Sequence, residues 1–250
     1  MVDRPLVLGH RGASHARSEN TLAAFAKARE FGADGVELDV RRSADRQLVV
    51  HHDPQVEGFG VIFEHDFAAL RSERPEIPTL GEALAACAGM IVNVEIKCLP
   101  WEPDADTADH EVVRSVLDAL RAQSDVALAD IIVSSFDLGA IDASHELAPD
   151  IVTGWLTSGQ ELAAAAAVTS EQGHTWLNAD RVAALRAAPA EIAAVQKAGL
   201  RVNVWTVDDR EEIATLAANG VDAIITNEPD VALDVLRGPR RSDRVKGGRR

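Results

Sequence analysis

Short apolar runs rich in β-branched residues alternate along the chain with longer amphipathic stretches rich in alanine. The apolar runs, each typical of a buried strand, are PLVLGH, GVELDV, IVNVEIK, IIVSSF, IVTGWL, TWLNAD, RVNVWTV and DAIITN. Helical periodicity marks the stretches between them, such as 21–31, 79–88, 109–123 and 190–198. Eight strands alternating with helices in 250 residues predict a (β/α)8 barrel, the TIM barrel of the α/β class. An open doubly wound sheet would satisfy the same alternation.

One further strand interrupts this alternation. The runs GVELDV and QLVVHHD are separated only by RRSADR, which is too short for a helical crossover. The second run is therefore predicted to turn back as a β-hairpin that extends beyond the second barrel strand. Its end would return His51 and His52 to the mouth of the barrel. The segment 53–78 that follows lacks a barrel strand, and we expect a loop insertion with one short helix over one face.

Composition and charge narrow the classes of partner. A net charge of −15 disfavours a nucleic-acid partner. No apolar stretch approaches the ~20 residues of a membrane span, and the N-terminal sequence does not resemble a signal peptide, so we expect a cytoplasmic protein. Cys87 and Cys98 lack the spacing of a disulfide framework and are expected to be free thiols. The outer helices carry no clear apolar stripe, which leaves the oligomeric state open.

The chain is long enough for one full hydrophobic core, and we predict a single domain over 1–237 with an insertion at about 53–78. The segment 238–250 has almost no apolar residues and is predicted to be a disordered tail. From 237 to 250 there are seven basic residues against one acidic residue. We expect this tail to be solvated, and attachment to anionic lipid is the alternative.

Charged residues cluster where the predicted strands end. They are His10 and Arg11 after the first strand, Glu37 and Asp39 in the second, His52 and Asp53 at the end of the hairpin, and Glu95 and Lys97 in IVNVEIK. Residues two apart in a strand point to the same face, which gives three carboxylates on one side. Three inward carboxylates repel one another unless a cation neutralises them, and their oxygens select Mg²⁺ or Ca²⁺ over Zn²⁺. For either glutamate alone, an outward position beside a helix cation is an equal alternative.

At the C-terminal face of a barrel, where TIM-barrel active sites lie, this set of residues suits the cleavage of a phosphate ester. A cation and basic side chains would bind the phosphoryl oxygens and offset the developing charge. One imidazole can accept a proton from the nucleophile while another donates one to the leaving group. Histidine can take either part because its usual pKa is about 6.5.

The same residues carry a resemblance to a known family. HRG followed by ENT, then GADGVELDV, LVVHHD and EIK, is similar to the pattern of glycerophosphodiester phosphodiesterases. The similarity continues in order through IPTLGEAL, SSFD, VNVWTV and GVDAIITNEPD, so that it covers nearly the whole chain. It implies a TIM barrel with this hairpin and insertion. It also implies metal-dependent hydrolysis of glycerophosphodiesters to sn-glycerol 3-phosphate and an alcohol.

The resemblance assigns roles to individual residues. It implies an acid/base pair of His10 and His52, metal ligands Glu37, Asp39 and Glu95, phosphate-binding residues Arg11 and Lys97, and pocket residues Asn20 and Trp205. His52 is preferred to His51 because the family motif places its histidine directly before the aspartate. Only one of two adjacent strand residues can face the mouth, which agrees with a choice between them. His15 is expected to be an exposed loop residue.

Three positions and one loop depart from the family pattern. The departures are Ser18 in place of proline, the loop 54–65 in place of an Arg-Thr-Thr stretch, Asp208 in place of asparagine and Asn227 in place of aspartate. The changed loop leaves the preference for the released alcohol open.

Two functional alternatives stay open. A lysophospholipase D could use apolar contacts from GFGVIF at 58–63, and a non-catalytic barrel that binds phosphorylated ligands is the alternative from another class of function. Attack by water and attack by the substrate's own hydroxyl, through a cyclic phosphate, are both compatible with these residues.

Overall fold

A computed structural model describes residues 4–102, 104–106, 109–123 and 127–237. The predicted basic tail at 238–250 lies outside these residues. The strands are β1 (Leu6–His10), β2 (Gly35–Arg42), β3 (Leu48–Val50), β4 (Gln55–Val56), β5 (Gly60–Val61), β6 (Ile91–Ile96), β7 (Ile131–Ser135), β8 (Val152–Leu156), β9 (Trp176–Asp180), β10 (Arg201–Trp205) and β11 (Ala223–Thr226).

Helices follow most of the barrel strands. They are α1 (Leu22–Phe31), α2 (Phe67–Glu73), α3 (Leu80–Ala86), α4 (Glu111–Ala122), α5 (Leu138–Leu147), α6 (Leu162–Glu171), α7 (Arg181–Arg186), α8 (Pro189–Lys197), α9 (Arg210–Asn219) and α10 (Pro229–Arg237). Within the described ranges, no helix combines the length and hydropathy needed to cross a bilayer.

The strands form a closed parallel barrel. Their order is β1-β11-β10-β9-β8-β7-β6-β2, and a parallel pairing of β1 with β2 closes the ring. The closing pairs include Leu8 with Gly35 and His10 with Glu37. The predicted (β/α)8 barrel is therefore confirmed, and the alternative of an open doubly wound sheet is wrong. Each of the eight apolar runs in the sequence forms one barrel strand.

Local sequence signals set the ends of the helices that follow the catalytic strands. The Thr21 side chain accepts a hydrogen bond from the Ala24 backbone N–H and begins α1. Gly32 ends this helix at φ 86°, a left-handed conformation that glycine adopts without steric cost. Thr79 and Glu82 form a reciprocal capping box at the start of α3. The caps of Thr21 and Thr79 fix where α1 and α3 begin at the mouth end of the barrel, whereas Gly32 ends α1 at the opposite end, just before β2.

The predicted hairpin is present and extends past the barrel. β2 pairs with β6 as far as Val40 and then with β3 in antiparallel fashion, with Val40 opposite Val50. The His51 backbone N–H donates to the Asp39 carbonyl at 3.0 Å, which returns the chain to the mouth. The expected short helix is α2. A two-stranded sheet of β4 and β5 was not anticipated, because strands of two residues have no detectable periodicity.

The hydrophobic core has a separate part under the insertion. The two largest clusters of buried apolar residues fill the layer between the barrel and its helices. A smaller cluster lies inside the barrel, and a satellite cluster lies under the insertion. The satellite consists of Val49, Val56, Ile62, Leu70 and Ile77, with Phe59 and Phe67 packed against it. The insertion is thus a packed unit of its own beside the mouth.

Both cysteines are buried free thiols within the barrel–helix layer. Burial raises the pKa of Cys87 to about 12 and that of Cys98 also to about 12. The expectation of two free thiols is confirmed. A thiol with such a pKa is almost entirely protonated near neutral pH, so neither side chain is a nucleophile.

His174 is a buried histidine far from the mouth, in the turn that precedes β9. Its Nε2 atom lies 2.9 Å from Asp142 Oδ1, and its Nδ1 atom lies 2.9 Å from Thr153 Oγ1. The carboxylate must accept, so Nε2 carries the proton and the threonine hydroxyl donates to Nδ1. Burial lowers the pKa of His174 and, with a smaller contribution from His145, outweighs the opposing effect of Asp142.

We predict that His174 makes stability depend on pH. Its pKa is lower in the folded chain than the ~6.5 expected when unfolded. The unfolded state therefore binds the extra proton first, and stability is lost as the pH falls through ~6.5, by up to ~1.4 kcal/mol per pH unit. In urea unfolding at pH 7.5, 6.5 and 5.5, His174→Gln should lose less stability than the wild type. An equal or steeper loss in the variant would contradict this.

Candidate active site

Three acidic side chains meet at the C-terminal end of the barrel. Glu37 and Asp39 come from β2, and Glu95 comes from the adjacent strand β6, where it is paired with Asp39. Each offers an oxygen, and these oxygens lie within 4.8 Å of one another. All three side chains are buried, and Glu37 Oε1 has no hydrogen-bond partner. A compact set of carboxylate oxygens with an unpaired, buried acceptor fits a hard divalent cation.

The electrostatics of the cluster separate its three acids. Burial, and then the charge of Asp39, raise the pKa of Glu37 to about 8. Burial likewise raises the pKa of Glu95 to about 7, although Lys97 opposes it. Burial also disfavours the ionised form of Asp39, but Lys97 and Arg11 outweigh it and hold its pKa at about 2. The ionised forms of both glutamates are therefore disfavoured unless further positive charge is supplied.

The two predicted phosphate-binding residues lie against this acidic cluster. Lys97 Nζ lies 3.0 Å from Asp39 Oδ1 and forms an ion pair with Glu95. Arg11 Nε lies 3.2 Å from Asp39 Oδ2, and its Nη1 donates to Glu19 Oε1 at 2.9 Å. These acidic partners raise the pKa of both basic side chains in spite of burial. Both side chains keep their positive charge at the point where a phosphate would meet the carboxylates.

The backbone after β1 is shaped to support the cluster. Arg11 adopts a left-handed conformation at φ 54°, and its backbone N–H donates to Glu37 Oε2 at 2.9 Å. Asn20 is also left-handed, at φ 55°, and its backbone N–H donates to the Arg11 carbonyl. Such conformations cost energy for residues with a Cβ and occur where function or packing requires them. Asn20 Nδ2 donates to Asp39 Oδ2 at 2.7 Å, so this predicted pocket residue orients a cluster carboxylate.

His10 lies at the end of β1 beside Glu37. Its Nδ1 atom lies 2.8 Å from Asn227 Oδ1, and its Nε2 atom lies 3.9 Å from Glu37 Oε2. Burial and the neighbouring charge of Arg11 lower its pKa, so the imidazole is mainly neutral at pH 7. A neutral imidazole with one fixed nitrogen can exchange a proton through the other.

His52 occupies the end of the hairpin, across from His10. Its Nδ1 atom lies 2.7 Å from Asp53 Oδ1, and burial together with the charge of Lys97 lowers its pKa. His51 is instead bonded through Nδ1 to the Asp53 carbonyl and borders a cavity of about 680 Å³ that Asn20 also lines. His15 is an exposed loop residue, as expected, beside Glu228. His52 is held through Nδ1 by a carboxylate and interacts electrostatically with Asp39 and Lys97 of the cluster.

An aromatic wall flanks the basic side of the site. Trp205 donates from Nε1 to the Asn178 carbonyl at 3.0 Å, and its ring packs edge-on against Phe136 at 5.2 Å. The Phe136 ring centroid lies 5.8 Å from Lys97 Nζ. Trp205 was identified from the sequence. Phe136 was not assigned a role there, although it lies in the SSFD segment that matches the family pattern.

Arg41, to which the sequence pattern assigned no role, donates hydrogen bonds to both sides of the mouth. Its guanidinium is buried and donates from Nη1 to both Asp104 oxygens at 2.8 Å and from Nη2 to Glu102 Oε1 at 2.9 Å. Its Nε donates to the His52 carbonyl at 2.7 Å. Arg41 thus links the hairpin end to the loop after β6. The spacing of Glu37, Asp39 and Arg41 on one strand face is the signal that could have found it.

The fold is a (β/α)8 barrel, and an acidic cluster flanked by basic and imidazole side chains lies at the C-terminal end of its strands. A model of the glycerophosphoryl diester phosphodiesterase family matches residues 10–231, and the chain belongs to this family of phosphoric diester hydrolases. It is 29% identical over 261 residues to a glycerophosphodiester phosphodiesterase of Caldanaerobacter subterraneus, with 94% of this chain and 98% of the relative covered.

Solved structures agree with this assignment. A glycerophosphodiester phosphodiesterase from Thermotoga maritima is 29% identical, with a TM-score of 0.77 and coverage of 92% of this chain and 98% of its own. A phosphodiesterase from Oleispira antarctica, solved with the product sn-glycerol-3-phosphate, has a TM-score of 0.81 at 24% identity. That comparison covers 94% of this chain and 98% of the Oleispira chain, and it supports the fold.

We predict that Arg41→Lys impairs turnover more than substrate binding. A lysine keeps the charge but cannot hold Asp104, Glu102 and the His52 carbonyl at once. We expect kcat to fall about 10-fold, as for other supporting partners of active-site groups, with KM changed less than about twofold. The measurement is steady-state phosphodiesterase kinetics.

Arg42→Lys is the matched control for this prediction. Arg42 pairs with Glu111 at 3.4 Å and stacks on Phe63, and none of its contacts reaches His52. Its replacement should leave kcat within about twofold, since lysine keeps the charge beside Glu111 and no contact to His52 is lost. Equal losses in both variants, or full activity of Arg41→Lys, would contradict the role of Arg41.

Proposed function

We propose that this phosphodiesterase hydrolyses glycerophosphodiesters to sn-glycerol 3-phosphate and an alcohol with the help of a divalent cation. The observation that carries the proposal is the meeting of Glu37, Asp39 and Glu95 within 4.8 Å, between two histidines and two basic side chains. A phosphodiester carries one negative charge and cannot approach three carboxylates without compensation. The cation and the basic groups supply that compensation.

Glu37, Asp39 and Glu95 would hold the cation. Its chemistry, when bound, is to neutralise the carboxylates and to polarise a phosphoryl oxygen. Mg²⁺ and Ca²⁺ both accept oxygen ligands of this kind, and we propose either as the resident ion. Lys97 and Arg11 both pair with Asp39. With the cation bound to the carboxylates, more of their positive charge would be available to the substrate phosphate.

His10 and His52 would perform the proton transfers. One, in its neutral form, accepts the proton of the attacking water or hydroxyl, and the other, in its imidazolium form, donates the Nε2 proton to the oxygen of the departing alcohol. Both have a lowered pKa, which keeps a neutral fraction near pH 7. Asp53 holds Nδ1 of His52 as Asn227 holds Nδ1 of His10, and these bonds orient each Nε2 for exchange.

The glycerol phosphate part of the substrate would lie between the basic side chains and the aromatic wall. Arg11 and Lys97 bind the phosphate, and the indole of Trp205 packs against the glycerol carbons. The Oleispira antarctica phosphodiesterase was solved with the same glycerol phosphate as its product, which supports the identity of the product proposed here.

Packing of the insertion favours a glycerophosphodiester over a lysophospholipid. The lysophospholipase D alternative depends on apolar contacts from GFGVIF at the mouth. Ile62 of that segment is buried in the satellite core, Phe59 packs on the same core and against His65, and Phe63 stacks under Arg42. Ile62 is therefore inaccessible, and the contacts of the partly exposed Phe59 and Phe63 limit the apolar surface offered to an acyl chain. The cytoplasmic location stays a prediction from the sequence.

We predict that glycerol 3-phosphate is released from glycerophosphocholine with Mg²⁺ or Ca²⁺ and that EDTA abolishes the release. Loss of a proton-transfer group typically costs 10²–10⁴-fold, so His10→Ala and His52→Ala should each lose about that much kcat. His51→Ala is the matched control and should retain activity. Metal-independent release would overturn the cation, and an inactive His51→Ala beside an active His52→Ala would overturn the choice of histidine.

We predict that Glu37→Gln removes the stabilisation that a divalent cation gives to the folded chain. A ligand that binds only the folded state at a hundredfold excess over its Kd stabilises by ~2.7 kcal/mol, which raises Tm by about 5–10 °C in a protein of this size. Without metal, the variant should unfold at about the same temperature, because a pKa of about 8 leaves Glu37 mainly protonated near pH 7 and glutamine replaces a neutral acid.

Glu30→Gln is the control for this measurement, since Glu30 is an exposed acid on α1 that pairs only with Lys27. It should keep the full shift in Tm with metal. An undiminished shift in Glu37→Gln would place the cation elsewhere.

A further inference from the structure

Asp208 and Asn227 form a connected pair behind His10. Asp208 follows β10 and Asn227 follows β11, and the adjacent positions of these strands bring them together. Asp208 Oδ2 accepts from Asn227 Nδ2 at 2.7 Å. Asp208 Oδ1 accepts from the Asn227 backbone N–H at 2.8 Å and from the Thr226 hydroxyl at 2.9 Å. The carboxylate is therefore held at both oxygens.

This arrangement fixes the orientation of the Asn227 amide. The two ends of an asparagine amide look nearly alike, and only the hydrogen-bond partners distinguish them. An ionised carboxylate can only accept, so the NH₂ group of Asn227 must face Asp208. Its oxygen must then face His10, where it also accepts from the Ser14 hydroxyl at 2.7 Å.

The amide orientation in turn fixes the protonation of His10. Asn227 Oδ1 can only accept, so the His10 Nδ1 atom 2.8 Å away must carry the proton. The neutral imidazole then has its lone pair on Nε2, the nitrogen that faces Glu37 and the mouth. The opposite tautomer would place two acceptors against each other behind the ring.

We propose that Asp208 is a positioning residue that, through Asn227, holds His10 in the Nδ1–H tautomer with Nε2 free to accept a proton. Asp208 touches neither His10 nor the acidic cluster, so its effect is indirect. The proposal rests on the proposed catalytic role of His10 and adds a direction to it, because a resting imidazole with an unprotonated Nε2 begins the reaction as the proton acceptor.

The carboxylate has a specific consequence for the isosteric variant Asp208→Asn. The two donors at Oδ1, from the Asn227 backbone and Thr226, require an oxygen there, so the introduced NH₂ group would occupy the Oδ2 position. It would face the NH₂ group of Asn227, two donors would oppose each other, and the Asn227 amide would turn over. Its NH₂ group would then face His10 and favour the Nε2–H tautomer.

The reciprocal exchange restores the pattern. Asn227→Asp alone would place two carboxylates against each other in this pair. Combined with Asp208→Asn, it would leave one amide donating to one carboxylate, and that carboxylate would accept from His10 Nδ1 and Ser14. The double variant should therefore recover the Nδ1–H tautomer although it has the composition of the wild type in exchanged positions.

The deciding experiment measures the tautomer directly by long-range ¹H–¹⁵N NMR of the imidazole rings in the ¹⁵N-labelled full chain without added metal. The His10 signals are assigned from their absence in His10→Gln. We expect a protonated Nδ1 and an unprotonated Nε2 in the wild type and the double variant, and the reverse in Asp208→Asn. An Nε2–H tautomer in the wild type, or an unchanged tautomer in Asp208→Asn, would overturn the proposal.

Kinetics with glycerophosphocholine provide the second readout. Each single variant should lose about 10–100-fold in kcat with little change in KM, as is typical for groups that orient active-site residues. The kcat of the double variant should be at least about tenfold higher than that of the less active single variant, which a merely structural loss would not produce. Asp209→Asn is the matched control, because Asp209 caps α9 and asparagine is an equally good cap.

The two readouts separate the proposals. A tautomer that inverts while kcat is unchanged would support the positioning role and overturn the catalytic role of His10. A kcat that falls while the tautomer is unchanged would overturn the positioning role. Should Asp208→Asn fail to fold, the wild-type spectrum and the double variant still decide.

Discussion

Mutual repulsion among three buried carboxylates is the constraint on which the rest of the catalytic end depends. The register of the adjacent strands β2 and β6 brings together Glu37, Asp39 and Glu95. The surrounding structure is organised around that charge. Lys97 and Arg11 lie against Asp39, and the backbone of Arg11 is strained into a left-handed turn so that its N–H reaches Glu37. An enzyme that keeps such a cluster gives up stability for a place where opposite charge binds strongly.

The two histidines are supported by different means toward the same end. His10 belongs to the barrel wall, and its Nδ1 is held by the side-chain amide of Asn227. The hydrogen bond from that amide to Asp208 sets the orientation of the amide. His52 belongs to the hairpin and is held by the carboxylate of its own neighbour, Asp53, while Arg41 holds its backbone carbonyl. In both cases Nδ1 is occupied and Nε2 is available. The partners differ, a neutral amide for His10 and a carboxylate for His52, and a carboxylate favours the protonated ring more strongly than an amide does.

Periodicity made the fold accessible from the sequence, because each barrel strand is an apolar run and each helix has caps nearby. The hairpin was also predictable, since six residues cannot contain a crossover helix. Proximity in sequence likewise identified Glu37 with Asp39 and Glu95 with Lys97. What sequence could not provide was partnership across long separations. Arg41 meets Asp104 only because the loop after β6 folds back over the hairpin. Asn20 looked like a pocket residue, and its bond to Asp39 depends on a backbone conformation that no pattern announces.

The separate core of the insertion gives the active site two mechanical parts. The acidic cluster, His10 and the basic pair rest on the barrel, whereas His52 follows a hairpin strand that packs into both cores, with Leu48 and Val50 in the main cluster and Val49 in the satellite. Small cooperative units of this kind open at lower free energy than a main core. An opening of the satellite core alone would leave Leu48 and Val50 packed in the main core, so β3 and the His52 that follows it would stay at the mouth while the loop 54–65 exposes its apolar side chains.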